Sequence, residues 1–286
     1  MKFGLSYNTG YLGTDPGLLL AAARHAEDCG FESFYVPEHI ALYPGATYPG
    51  APPGAATIPA TTPVADPLQC LSFVAAVTTR ILLGTGVLLL PYHHPVALAK
   101  RLATLDVLSK GRMRLLTVGV GALPGEAAAG GVDFATRGRR ADEAIDVLRL
   151  LWSGGEDGVS FDGEFYSFTS LCSYPKPLGR LPVHVGGSSR AAARRAGLRG
   201  DGYFPGGRLT RAERDAQLEL MREVARAAGR DPGALECTRW GSIDMTADDV
   251  AGHAVQGTTR LVVGPAATDQ AGQRDEISAF AGRLGL

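Results

Sequence analysis

Five short stretches of the 286-residue chain carry side chains or backbone suited to chemistry. Glu38-His39 follows the strand-like run Phe34–Pro37, and an imidazole at a strand end can donate to a bound ring or act as acid or base. A purely structural histidine would read the same way. Leu90-Pro91-Tyr92-His93-His94 closes a strongly apolar run. Its paired histidines suggest a metal, but the carboxylate and third histidine of a facial triad are not evident. A polar pocket wall is the better reading, and no metal site is expected. Gly186-Gly187-Ser188-Ser189 follows a strand and opens a helix, where free N–H groups attract phosphate. An ordinary βα turn with a serine N-cap accounts for it equally. Gly84-Thr85-Gly86-Val87 sits inside an apolar strand, where glycine points to a bulge, to backbone contact with a flat ligand, or to a tight barrel bend. Gly119-Val120-Gly121 is a similar turn. No G-x-S-x-G elbow exists, so an α/β-hydrolase has no support.

These stretches need elements to position them, and the chain supplies short β-like runs alternating with amphipathic helices. Strands are expected at Lys2–Tyr7, Phe34–Pro37, Ile81–Leu90, Met113–Val118, Val183–Val185, Gly202–Phe204, Glu236–Ile243 and Arg260–Val263. Asp15-Pro16 and Asp66-Pro67 each place an N-cap before a proline at the first helical position. Helices are expected from there, and over Pro95–Leu108, Arg140–Trp152, Ser189–Leu198, Thr210 to about Ala228, Thr246–Val255 and Asp275–Arg283. Residues 38–63 form a long Pro- and Gly-rich loop, a length that is usually functional or mobile. In 154–177 the alternation breaks, and Val159–Phe161 and Phe165–Phe168 flank Asp162-Gly163 like a small hairpin. About eight βα units make a single (β/α)₈ barrel over 1–286, with 154–177 as an insertion. A doubly wound sheet would show G-x-G-x-x-G after its first strand, and Tyr7–Gly13 does not match it. In a barrel the working residues stand at C-terminal strand ends, which selects Glu38-His39, Leu90–His94, Gly119–Gly121 and Gly186–Ser189, adds Tyr7-Asn8 and Phe204-Pro205-Gly206, and makes Tyr7, Tyr92 and His93 pocket candidates.

Composition narrows the function classes. Hydrophobic residues make up 45% of the chain, enough for a large core, and a net charge of -1 draws the protein to neither nucleic acid nor an anionic membrane. The Arg-rich stretches 137–140 and 190–199 are interleaved with Ala and Gly and read as solvated helix faces. The four cysteines are widely spaced, without C-x-x-C, and suit reduced thiols. The N-terminus lacks the apolar region of a signal peptide, and the Ile81–Leu90 run is too short to span a bilayer, so a cytoplasmic protein is expected.

In order and spacing, the segments resemble the luciferase-like monooxygenase superfamily, and within it the actinobacterial coenzyme F420-dependent oxidoreductases. The resemblance runs from Ala26-Glu27-x-x-Gly30-Phe31-Glu32-Ser33 and Glu38-His39 through Arg80-Ile-Leu-Leu-Gly84-Thr85-Gly86-Val87, Pro95–Lys100 and Ala103–Arg112. It continues with Gly119-Val-Gly121, Gly131–Phe134, Arg137-Gly-Arg139, Phe161–Tyr166, Pro175-Lys-Pro177, Val185–Ser188 and Gly200-Asp-Gly202. It implies a flavin or deazaflavin ring across the C-terminal mouth of the barrel. The Gly86-Val87 peptide, or an adjacent one, is then expected to be a non-prolyl cis bond against the ring. His39 matches the position near the hydride-accepting carbon and is the catalytic candidate. Gly186, Gly187, Ser188 and Ser189 match the phosphate-binding turn, and Gly119 and Gly121 the glycine turn beside the cofactor. One departure stands out. The residue after that turn is commonly Trp, or Glu in some deazaflavin dehydrogenases, and here it is Ala122. Glu126, four residues on, fits another acidic position and is expected to meet the cofactor or stabilise the loop. A homodimer is frequent in the family.

The expected reaction is hydride transfer between coenzyme F420 and a small organic substrate, with the protein supplying stacking, orientation and a proton. Two rivals stay open. One is an FMN-dependent monooxygenase using oxygen on the same barrel. The other is a non-catalytic flavin- or deazaflavin-binding protein, which Ala122 and Ala127 favour slightly.

Overall fold

In the computed structural model, residues 1–48, 57–206 and 209–286 are described. β1 (Lys2–Ser6) leads through the short α1 (Thr9–Leu12) to α2 (Pro16–Asp28), β2 (Ser33–Val36), α3 (Pro67–Ala75), β3 (Leu82–Leu89) and α4 (Pro95–Leu108). β4 (Met113–Gly119), α5 (Pro124–Ala129) and α6 (Arg137–Ser153) precede a hairpin of β5 (Val159–Asp162) and β6 (Ser167–Leu171). The chain then runs through β7 (Val183–Gly186), α7 (Arg190–Arg199), β8 (Gly202–Phe204), α8 (Arg211–Ala227), β9 (Glu236–Trp240), α9 (Ala247–Val255), β10 (Arg260–Val263) and α10 (Gln270–Leu284).

Local chemistry explains the helix starts. Asp15 Oδ1 accepts from Leu18 N, and Asp66 Oδ1 from Leu68 N and Gln69 N, each just ahead of a proline. Thr210 with Glu213 and Thr246 with Asp249 form complete capping boxes. α10 begins at Gln270 rather than at Asp275, because Asp269 caps it by accepting from Gly272 N at 3.0 Å. Neither α1 nor α5 shows a long enough apolar period to be expected from sequence. Of the loop expected over 38–63, residues 49–56 lie outside the described residues.

Eight strands close into a parallel barrel in the order β1-β2-β3-β4-β7-β8-β9-β10, with β10 back against β1. The β5–β6 pair stands outside it as an antiparallel two-stranded sheet, with Phe161 opposite Phe168. Strand alternation divides the interior into two regions. Leu5, Phe34, Leu83, Leu116, Val183 and Leu261 point outward into the main core beneath the helices. Inside, Tyr35 packs with Leu115, Phe204 and Val262. A methyl on Gly4 or on Gly84 would stand 2.8 Å from the Tyr35 ring, so one aromatic fills the space of several side chains.

Below Tyr35 the barrel is closed by charge. Arg260, 1% exposed, donates through Nε and Nη2 to Glu32 at 2.6 and 3.0 Å and through Nη1 to Glu236 at 2.6 Å. Lys2 adds a second cation to Glu236 at 2.6 Å. Burial disfavours the Glu236 charge, but hydrogen bonds from Arg260 and Lys2 outweigh it and hold its pKa down to about 2. His184 stands beside this group with Nε2 3.7 Å from Glu236, and burial lowers its pKa to about 4. Among the described residues, no helix is long and apolar enough to cross a membrane.

Both shifts predict acid destabilisation. The unfolded chain takes up a proton on His184 near 6.5 that the fold refuses until about 4, so stability falls across that window as pH drops. Glu236, depressed from 4.5 to about 2, extends the loss to lower pH. In a chemical denaturation series, His184→Gln should flatten the limb between pH 6.5 and 4 and leave the lower one. A variant slope equal to the wild type's across the upper window would discard the assignment.

Candidate active site

The C-terminal strand ends meet around one side chain. β3 carries a register shift between Gly86 and Leu88 where it pairs with β4, and the Gly86–Val87 peptide is cis. Val87 projects across the ends of β4 and β7. A methyl on Gly119 would stand 2.6 Å from Val87 Cγ2, and one on Gly186 would stand 2.5 Å from Val87 Cγ1. Glycine is required at both positions because Val87 occupies the space. Four residues expected to cradle a cofactor, Gly86, Val87, Gly119 and Gly186, are therefore one packed unit. Trp240, at the end of β9 and 38% exposed, lies 4.8 Å from the Phe204 ring and over Gly86. The two aromatics form an apolar wall beside the β3 bulge.

Two carboxylate–imidazole pairs stand on the rim. Glu126, on α5 with a fully buried side chain, accepts from His39 Nδ1 at 3.1 Å through both oxygens and from Ile40 N at 2.8 Å. An acceptor-only carboxylate requires Nδ1–H, so the neutral ring presents Nε2 as an acceptor. Tyr48 fills that role as donor, its hydroxyl 2.5 Å from His39 Nε2. In the second pair, Glu38 accepts from Leu89 N at 2.6 Å and from His93 Nε2 at 2.9 Å. Tyr92 leans on the glycine turn: a methyl on Gly121 would stand 2.0 Å from its hydroxyl. Burial, then the Glu126 charge, push Tyr92 up to about 12 against the opposing Arg137, so it stays a neutral phenol. Arg137 Nε donates to Gly121 O at 3.3 Å.

The Gly186–Ser189 turn is held from below. Tyr203 donates to Gly187 O at 3.0 Å, and Gln217 Nε2 donates to Ser188 O at 2.7 Å. Ser189 caps α7 by accepting from Ala192 N at 3.1 Å. Gly187 has φ +116°, a conformation that favours glycine. The first N–H groups of α7 have no intrahelical acceptor and open toward the mouth side of the barrel.

Placement refines several expectations. His39 and Glu126 are brought together, with Glu126 behind the imidazole, because its carboxylate is buried and spent on His39 and Ile40. His93 is tied to Glu38, and Tyr92 covers the Gly121 turn. Tyr7 does not reach the mouth. It is fully buried in the layer between strands and helices, 6.2 Å from the Phe34 ring, since strand alternation turns it outward. Sequence reasoning missed Tyr48, Tyr203, Gln217 and Trp240. None carried a signal, since the strand expected to run to Ile243 ends at Trp240 instead. Two clefts among the described residues lie away from the C-terminal mouth, between α2 and α10 and at the N-terminal end of the barrel near Lys2 and Arg283. Strand-end placement, not cavity size, locates the site.

Comparison with known proteins agrees with this fold. Residues 2–251 match the luciferase-like monooxygenase family. The chain belongs to that family. An uncharacterized protein of Mycobacterium tuberculosis is 34% identical over 284 residues, covering 88% of this chain and 96% of its own. An F420-dependent glucose-6-phosphate dehydrogenase of Kineococcus radiotolerans is 31% identical over 247 residues, covering 85% of this chain and 68% of its own. Among solved structures, an F420-dependent secondary alcohol dehydrogenase in complex with an F420–acetone adduct superposes with a TM-score of 0.81 at 18% identity. It covers 99% of this chain and 98% of its own, and shows the shared (β/α)₈ fold. As a member of this family the chain is an oxidoreductase.

The Val87 seat makes a direct prediction. Gly119→Ala should cost about 1–3 kcal/mol in denaturant unfolding, the usual range for overpacking. Adding Val87→Ala should recover most of that loss. Additive losses in the double variant would mean that Val87 is not what the glycine accommodates.

Proposed function

We propose that the chain binds the deazaflavin coenzyme F420 at the barrel mouth and catalyses hydride transfer with a small organic substrate, with His39 and Glu126 handling the proton. The observation that carries the reading is the match to F420-dependent glucose-6-phosphate dehydrogenases. Besides the Kineococcus protein, one from Beutenbergia cavernae is 34% identical over 260 residues. Both matches extend over more than four-fifths of this chain.

The residues present fit such a group. The exposed face of Trp240 and the Gly86–Val87 backbone offer a flat apolar bed. The Gly187–Ser189 turn at the α7 N-terminus suits a phosphate, which would sit on N–H groups that have no other acceptor within the helix. When bound, the deazaflavin supplies a carbon that accepts or donates a hydride. The protein's part is to bind, to orient and to move a proton. Glu126 fixes the His39 tautomer and stabilises the imidazolium once a proton arrives, as the buried carboxylate does in a hydroxyl–imidazole–carboxylate triad. With Ala122 after the glycine turn, the carboxylate of some deazaflavin dehydrogenases is absent, so a glucose-6-phosphate substrate does not follow from these relatives.

Titration of the purified protein with F420 and with FMN, followed by absorbance, tests the cofactor. Micromolar F420 binding with weaker FMN binding is expected. FMN binding without F420, joined to oxygen consumption on reduction, would establish the monooxygenase instead. His39→Ala should lower turnover by about 10²-fold or more while leaving F420 affinity within a few-fold of wild type. Unchanged turnover would remove His39 from the chemistry.

A further inference from the structure

Both nitrogens of the His39 ring are already engaged by the protein. Nδ1 serves the Glu126 carboxylate at 3.1 Å, and Nε2 accepts from Tyr48 at 2.5 Å. An imidazole so placed cannot take a proton from a bound molecule without first giving up one of these partners. The members of the chain differ in access. Glu126 has no exposed side-chain surface, His39 has 16%, and Tyr48 is 43% exposed as a residue. The ordering carboxylate, imidazole, hydroxyl therefore runs from the core outward and ends on a phenol at the rim.

We propose that Tyr48 is the group that relays to His39 the proton exchanged with a substrate that loses or gains one proton with the hydride, such as an alcohol and its carbonyl. This rests on the hydride-transfer reading above. In the oxidative direction the substrate hydroxyl proton passes to Tyr48 Oη as the Tyr48 proton passes to His39 Nε2. The carbon–hydrogen bond breaks with its electron pair, the hydride goes to the bound deazaflavin, and the C=O double bond forms. The substrate loses two electrons and the cofactor gains them. The imidazolium left behind lies against the Glu126 carboxylate, which cancels its charge. In the reductive direction the same proton returns along the same path.

The environment suits the role. Loss of solvent around the hydroxyl, then the nearby Glu126 charge, raise Tyr48 above an ordinary phenol, so it holds its proton at neutral pH. The arrangement also answers the loss of a carboxylate at Ala122. A proton donor is still present, carried by the β2–α3 loop instead of by the β4 turn. The second pair offers no such outlet. His93 donates through Nε2 to the buried Glu38, and Tyr92, nearby on the rim, is pressed onto Gly121 with its hydroxyl buried and unpartnered among the described residues.

The relay is read first in cofactor-free protein, by ¹⁵N NMR of histidine-labelled wild type, Y48F and E126Q. The wild type should show His39 as the Nδ1–H tautomer with a hydrogen-bonded Nε2. Y48F should move the Nε2 resonance toward that of a bare ring nitrogen, and E126Q should disturb the tautomer. A His39 Nε2 resonance identical in wild type and Y48F overturns the relay. In turnover with F420 and 2-propanol, Y48F should lower kcat by about 10²-fold with KM and F420 affinity nearly unchanged. Y48F turning over within threefold of wild type overturns the assignment as well. A wild type that binds no F420 overturns the proposed function instead, and the NMR comparison still decides whether Tyr48 and His39 share a proton.

Discussion

A barrel must bring its last strand back to its first, and in this chain that closure is drawn together by Arg260. The guanidinium is almost wholly inside the barrel, and a charge so placed is tolerable only when paired and hydrogen-bonded. Its partners are Glu32 just before β2 and Glu236 on β9, so one side chain of β10 links strands on both sides of the seam. Removing both carboxylates would leave a buried charge uncompensated, which is far costlier than the ion pairs are stabilising. The N-terminal end of the barrel is thereby filled by charge and the middle by Tyr35. Small residues are left for the C-terminal end, where the candidate site lies.

That end is built from omissions. Gly119 and Gly186 lack side chains so that Val87 can lie across them, and Gly121 lacks one so that Tyr92 can cover it. The loops are then joined by a single acidic residue. Glu126 accepts from His39 and from the Ile40 backbone, holding the segment after β2 against α5 after β4. A floor of close-packed backbone and a rim of paired carboxylates and imidazoles give a site that is rigid where a flat ring would lie. Its polar groups are confined to the edge where a proton would move.

The barrel was legible because its signals are local. Asp15-Pro16, Asp66-Pro67 and the Thr210 capping box each fix a helix start within four residues, and α4 matches its expected Pro95–Leu108 span. The strands of alternating or continuous apolar residues all formed, with only their ends displaced. α5 was not legible, since Pro124–Ala129 is too short to show a helical period, and with it went the true setting of Glu126. Tyr7 was misplaced for the opposite reason. Its position at a strand end was visible, but which way the residue just after β1 points depends on the register of the closed barrel.

The sequence by itself determined the alternation of strands and helices and the glycines at the strand ends, and it put His39 at the end of a strand. Only the tertiary structure decided what those residues meet. Val87 reaches Gly119 and Gly186 because β3, β4 and β7 are neighbours in the barrel, and His39 finds Glu126 across 87 residues of chain. Capping and periodicity act over one or two turns of backbone and leave their mark on adjacent residues. Contacts between strand ends depend on how the whole sheet closes, and no stretch of sequence records that closure locally.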